Sequence, residues 1–207
     1  MTKIAILASG RGSNAQAIVG AIKDGQLNAE VMCVISDRPD AGVLKLDLGV
    51  PSHCVSPDSS IEDRHQRKAE HEERILAHLK GCDFVCLAGY MRLLSPKFIS
   101  AFDSERGYSK IINVHPSLLP EFKGKDAYAQ AWGEGVHETG VTLHLVDEEM
   151  DHGPILAQES FTLGGMDTLE DVEAFGLSIE HRLYVETLQW VLAGDFEVKG
   201  SKVVRKS

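Results

Sequence analysis

No apolar run in this chain comes near the roughly 20 residues that crossing a bilayer requires. Cysteine is sparse, with four residues (Cys33, Cys54, Cys82, Cys86) that sit in or beside apolar runs. The first residues are too short for an export signal and read as a strand, so reduced core thiols and a cytoplasmic location are expected. Cys82 and Cys86 lie four apart, but no second pair completes a zinc pattern, and no metal is expected. Basic residues are in the minority: 21 Lys plus Arg against 31 Asp plus Glu, a formal net charge of −10. That balance argues against broad nucleic-acid binding, which needs a basic face, and leaves small molecules as the expected partners. A small anion is still compatible, because backbone amides hold phosphate without net positive charge. Neither GxGxxG nor GxxxxGK[ST] occurs, so a dinucleotide or a nucleoside triphosphate is poorly supported. There is no internal repeat and no low-complexity tail.

What is present is an ordinary globular composition, 43% hydrophobic and 25% charged, in 207 residues. Apolar runs at residues 3–8, 30–35, 83–88 and 110–114, and a brief one at 52–55, alternate with helical patterns at 15–23, 41–48, 61–80 and 96–102. This rhythm implies right-handed crossovers and a mostly parallel, Rossmann-like open sheet flanked by helices, an α/β fold. Near-continuous apolar strands agree with a sheet covered on both faces. The rhythm then changes. Residues 140–146 and 154–161 read as an antiparallel strand pair, and 167–193 as a closing helix. Residues 104–110 read as an exposed loop.

Three segments carry candidate chemistry. The run Ile111-Ile112-Asn113-Val114-His115-Pro116 places an amide and an imidazole two apart, hence on one strand face, before a proline stops the strand. Such a pair can polarise a carbonyl and move a proton. The turn Met150-Asp151-His152-Gly153-Pro154 holds an acid suited to orient that imidazole; the plain alternatives are a core histidine and a turn aspartate. The loop Ser9-Gly10-Arg11-Gly12-Ser13-Asn14 joins a strand to a helix, where unpaired N–H groups suit phosphate; the same amides are served equally by Ser13 or Asn14 as an N-cap. His65, His71 and His78 lie on the charged helix and read as solvated. His53, His137 and His181 are isolated, and His144 and His152 read as solvent-facing or supporting residues near the site.

These blocks, with Leu87-Ala88-Gly89-Tyr90-Met91-Arg92-Leu93-Leu94-Ser95-Pro96 and Asp147-Glu148-Glu149-Met150-Asp151, stand in an order that resembles the phosphoribosylglycinamide formyltransferases, a family of folate-dependent enzymes. The resemblance spans most of residues 3–195. It implies formyl transfer from 10-formyltetrahydrofolate, a co-substrate, to the amine of glycinamide ribonucleotide, by a monomer or homodimer. Carried over by position, Asn113, His115 and Asp151 become the catalytic set. Gly12, Ser13 and Asn14 hold the ribonucleotide phosphate, and Glu180 lies near its glycinamide end. Arg67, Met91, Arg92, Leu93 and Leu94, with Asn113, Asp147 and Asp151, line the folate pocket. The implied organisation is one domain over 1–207, with a phosphate-binding half at 1–100 and a catalytic, folate-binding half at 101–195.

Two features depart from the family. Residues 104–110 are longer than the corresponding segment, and the loop after Pro120 lacks a histidine that the family often carries. Two related enzymes compete. A tRNA formyltransferase carries a further C-terminal domain, whereas this chain ends soon after its last helix and is acidic. A formyltetrahydrofolate deformylase carries an added N-terminal domain, whereas the first core strand here begins at Lys3. A non-catalytic phosphate-binding module is the reading from another class, and the complete Asn113, His115 and Asp151 set speaks against it.

Overall fold

Short runs bounded by glycine, proline or polar residues form the parallel part of the sheet in a computed structural model that describes residues 1–200 and 202–206. They are β1 (Thr2–Leu7), β2 (Ala29–Ser36), β3 (Ser52–Cys54), β4 (Phe84–Leu87) and β5 (Ile111–His115). All five run parallel. β6 (Glu138–Leu145) and β7 (Ile155–Thr162) add antiparallel, as expected. A hairpin of β8 (Phe196–Lys199) and β9 (Lys202–Arg205) extends the far side, giving the order β3-β2-β1-β4-β5-β6-β7-β9-β8.

The alternating side chains of the parallel strands feed two cores, one on each face. Ile4, Ile6, Ile112 and Val114 pack with helix α1 (Ser13–Lys23) and the C-terminal helix through Ile18, Leu183 and Tyr184. Ala5, Leu7, Val85 and Ile111 pack on the other face with Ile75 of α2 (Arg64–His78) and Phe98 of α3 (Pro96–Ser100). Each fully buried Ile, Leu or Phe contributes about 1.5–3 kcal/mol of transfer free energy. A further helix, α4 (Ala127–Glu134), precedes β6, and the long α5 (Leu169–Ala193) closes the chain. Thr168 caps α5 in a reciprocal box with Asp171, and Gly194 ends it in the left-handed conformation. Tyr184 on α5 directs its hydroxyl at the carbonyls of Leu87 and Ile112, 3.2 and 3.1 Å away, locking the helix to two adjacent strands.

The register levels the strand ends. Leu7 pairs with Leu87, Leu87 with Asn113, and Asn113 with His144. The loops after β1 and β4 therefore emerge beside Asn113, and β5 continues one residue past the expected end to include His115.

Several expectations are corrected. The segment 41–48 forms only a 3-10 turn at Gly42–Lys45, and α2 begins at Arg64 because Asp63 caps it by accepting from Gln66 N. α4 and the β8–β9 hairpin are additions to the sequence reading. Tyr108, in the expected surface loop, packs on Phe196 at 5.1 Å between ring centroids. Only Cys33 and Cys86 are buried thiols; Cys54 is exposed and Cys82 half-buried. Among the described residues no helix is long and apolar enough to cross a membrane.

His71 is buried rather than solvated, at 2% exposure, and its Nε2 lies 2.8 Å from the Val55 carbonyl. Burial pushes its pKa below the ordinary value, although the Val55 bond opposes this. Burial acts in the same direction on His144 and His181. As pH falls through about 6.5, the unfolded chain takes up protons that these native imidazoles refuse, so stability is present above that pH and is lost below it. Urea unfolding between pH 7.5 and 5 is expected to show this loss, with a shallower slope in His71→Gln. Equal slopes in both proteins would remove His71 from the account.

Candidate active site

After β1 the chain turns at Gly12, whose φ of 86° belongs to the left-handed region. A Cβ there would meet Cβ of Val43 at 2.6 Å, so this turn has no room for a side chain. Gly12 is also the N-cap of α1 and supplies no side-chain cap. The alternative reading, in which Ser13 or Asn14 caps the helix, is therefore set aside. Ser13 opens α1 half-buried, beside the orphan N–H groups and partial positive charge of the first turn. Asn14 turns inward instead, and its Nδ2 donates to Glu180 Oε2 at 2.7 Å.

Glu180 lies on α5, 8% exposed, and its Oε1 accepts from the Tyr128 hydroxyl at 3.0 Å. Burial raises its pKa, against the two hydrogen bonds that favour the carboxylate. Glu180 and the phosphate-type loop are thus brought together, though 166 residues separate Asn14 from Glu180.

The loop after β4 is stitched to the loop after β1. Ser9 N donates to the Gly89 carbonyl at 3.0 Å, and the Ser9 hydroxyl accepts from Met91 N at 2.9 Å while donating to Asp37 at 2.5 Å. Asp37, 5% exposed, takes Arg92 Nε on its other oxygen at 2.6 Å. At the loop's far end, Ser95 N and hydroxyl both donate to buried Glu72 of α2. Between these clamps Met91 and Leu93 stand 56% and 63% exposed, and Leu94 is half-buried. Arg67, on α2, donates to the Ile61 carbonyl of its own segment at 3.2 Å.

Asn113, His115 and His144 share one face of the β5–β6 pair, and the loop 146–154 folds over it to bring Asp151 in. His144 Nδ1 lies 2.9 Å from the Leu145 carbonyl, which only accepts, so Nδ1 carries the proton. Burial lowers the ring's pKa, which favours the neutral form. Its Nε2 is then an acceptor, and Asn113 Nδ2 donates to it at 3.1 Å, which fixes the amide's orientation and leaves its second N–H for a ligand.

His115 sits deeper than a strand-end position suggests, at 3% exposure, because residues 116–124 fold across the ring. Its Nε2 donates to the Phe122 carbonyl at 2.8 Å, and its Nδ1 faces Asp151 Oδ2 at 3.5 Å. Asp151 Oδ2 also accepts from Gly124 N at 2.8 Å, and Oδ1 lies 3.8 Å from His144 Nε2. Asp147 pairs with His152 Nδ1 at 2.8 Å.

The structure thus gathers Asn113, His115 and Asp151, and separately Gly12, Ser13, Asn14 and Glu180, with the 91–94 loop stitched to the first turn. Sequence reasoning missed Asp37, Glu72 and Tyr128. Asp37 looked like part of a polar turn, Ser36-Asp37-Arg38-Pro39-Asp40, and Glu72 like one more charge on a charged helix.

A family model described as formyl transferase matches residues 2–188. The chain belongs to that family. It is 38% identical to the phosphoribosylglycinamide formyltransferase of Bacillus subtilis over 196 residues, 93% of this chain and 95% of that one. Against the protein of the same name from Haemophilus influenzae the identity is 35%, over 96% and 91% of the two chains. The crystal structure of glycinamide ribonucleotide transformylase 1 from Symbiobacterium toebii superposes with a TM-score of 0.89 at 37% identity, covering 100% of this chain and 95% of that chain. This formyl transferase fold accounts for the parallel half and the antiparallel pair together.

Gly12→Ala combines a left-handed backbone with the Val43 clash, and is expected to destabilise the protein by about 1–3 kcal/mol. Chemical denaturation measures this, and an unchanged midpoint would mean that the turn has slack.

Proposed function

We propose that this chain transfers the formyl group of 10-formyltetrahydrofolate to the amine of glycinamide ribonucleotide, in purine biosynthesis in the cytoplasm. The observation that carries the reading is the single sheet face on which Asn113, His115 and Asp151 meet, in a chain of this family. The amine attacks the formyl carbon. A C–N bond forms as the carbonyl π pair moves onto oxygen, which becomes negatively charged. The free Asn113 N–H is suited to donate to that oxygen, as in an oxyanion hole. His115 Nε2 is occupied by the Phe122 carbonyl, so Nδ1 is the nitrogen left for chemistry. Both ring nitrogens face acceptors, which a doubly protonated ring satisfies. Asp151 takes the proton from the attacking amine, directly or through water, and the folate nitrogen leaves with a proton as the tetrahedral centre collapses.

Gly12, Ser13 and Asn14 serve the ribonucleotide phosphate from the first turn of α1. Glu180 accepts from donor groups near the glycinamide end. Met91 and Leu93 offer exposed apolar surface of the kind a pterin and aryl ring require, and the same reading assigns Arg67, Arg92, Leu94, Asn113, Asp147 and Asp151 to the folate. The competing reading is deformylation. A formyltetrahydrofolate deformylase from Pseudomonas syringae superposes with a TM-score of 0.84 at 27% identity, and this chain covers 66% of it.

Steady-state turnover of 10-formyltetrahydrofolate, followed by absorbance with and without glycinamide ribonucleotide, separates these. Transfer requires the acceptor, whereas acceptor-independent formate release would establish the hydrolase. His115→Ala and Asp151→Asn are each expected to lower kcat by at least ~10²-fold with the fold intact, the scale of a lost transition-state donor or its support. Near-normal kcat in a folded variant would dismiss that residue's role. Ser13→Asp is expected to raise KM for the ribonucleotide far more than KM for the folate, through like-charge repulsion. Equal losses would locate the phosphate elsewhere.

A further inference from the structure

The loop after Pro120 leads to Tyr128 in the first turn of α4. Tyr128 is 8% exposed and spends its hydroxyl on Glu180 Oε1 at 3.0 Å, while Asn14 reaches Oε2 at 2.7 Å. Three helices distant in sequence thus converge on one carboxylate.

The space for this tyrosine is built into α5. Gly176 lies one turn before Glu180, inside the helix, where glycine is disfavoured. A Cβ at that position would fall on the Tyr128 hydroxyl and ring. The ring also lies near Phe161, with centroids 6.2 Å apart. The hydroxyl therefore has one seat, and from it reaches one partner. Each carboxylate oxygen of Glu180 accepts one bond within the protein and keeps a lone pair for a ligand donor. Without the tyrosine hydroxyl, Oε1 would be buried with no partner, and the side chain would gain by turning away.

We propose that Tyr128, seated in the space that Gly176 leaves open, is the positioning residue that aims Glu180 at the hydroxyl and amine donors of the ribonucleotide. This rests on the assignment of that acceptor to Glu180 above. The Tyr128 hydroxyl bonds to Glu180 and not to Asn113, His115 or Asp151, so its contribution lies in acceptor binding and not in the chemical step.

Initial rates with both substrates test this on the whole chain. Tyr128→Phe is expected to raise KM for glycinamide ribonucleotide about tenfold, the scale of one hydrogen bond to a charged group. kcat and KM for 10-formyltetrahydrofolate stay within about twofold of the parent. Gly176→Ala is expected to raise the same KM in the parent chain and to add nothing in a Tyr128→Ala background, where the obstructing ring is gone. An unchanged ribonucleotide KM in Tyr128→Phe, or equal increases for both substrates, overturns the proposal. A parent protein that turns over folate without saturating in ribonucleotide overturns the functional reading, and this one with it. Saturation in the parent with no change in Tyr128→Phe overturns only the positioning role.

Discussion

Asp151 is the carboxylate on which two loops and one sheet face converge. It is nearly buried, and its near neighbours are the Gly124 amide at 2.8 Å, His115 Nδ1 at 3.5 Å and His144 Nε2 at 3.8 Å. An anion removed from water needs donors close by, and here they come from the 116–124 segment and from β5, through Gly124 N and His115 Nδ1. The backbone of Asp151 is itself left-handed, with φ of 49°, and Phe122 in the facing loop has φ of 51°. Non-glycine residues hold such values only when their surroundings over-determine them. Here the surroundings are the same bonds that hold the carboxylate over His115.

The second half of the site follows another rule. Around Asn14, Glu180 and Tyr128 the buried anion is held by neutral donors, and burial raises its pKa. The loop between the two halves is clamped at its ends by Asp37 and Glu72, both buried and both hydrogen-bonded. Carboxylates on four separate elements therefore set the shape of the ligand-facing loops, while the apolar side chains that stand out from them carry no polar constraint. A net charge of −10 is compatible with the proposed anion site, because a phosphate there would meet a helix terminus and not the averaged field of the molecule.

The parallel strands were legible because a strand covered on both faces reads as an unbroken apolar run, as in Ile4 to Leu7 and Phe84 to Leu87. The pairing of Asn113 with His115 was legible because strand periodicity is two. The supporting groups were harder. His144 supports Asn113 only through the register of β5 against β6, a long-range property that no local pattern states. His71 did carry a signal: with Ile75 and Leu79 it marks a four-residue spacing on the inner face of α2, hidden by the charges around it. α4 was missed because Asp126 precedes it in a left-handed conformation and its turns mix Gly, Gln and Trp. The depth of His115 was missed because the cover comes from a loop, 116–124, whose path depends on Asp151 far along the chain.

The two borders of the sheet are built alike. One is β3, only three residues long, and the other is β8, four residues long and ending in Lys199. Each offers few unpaired main-chain groups for a strand from another molecule to dock against. The longer open edge lies inside the strand order: β7 meets β9 at Ile155 and Lys202, and from Leu156 to Thr162 no strand among the described residues pairs with its outer side. Growth of the sheet by strand addition is therefore restrained at its two short borders and not along that edge.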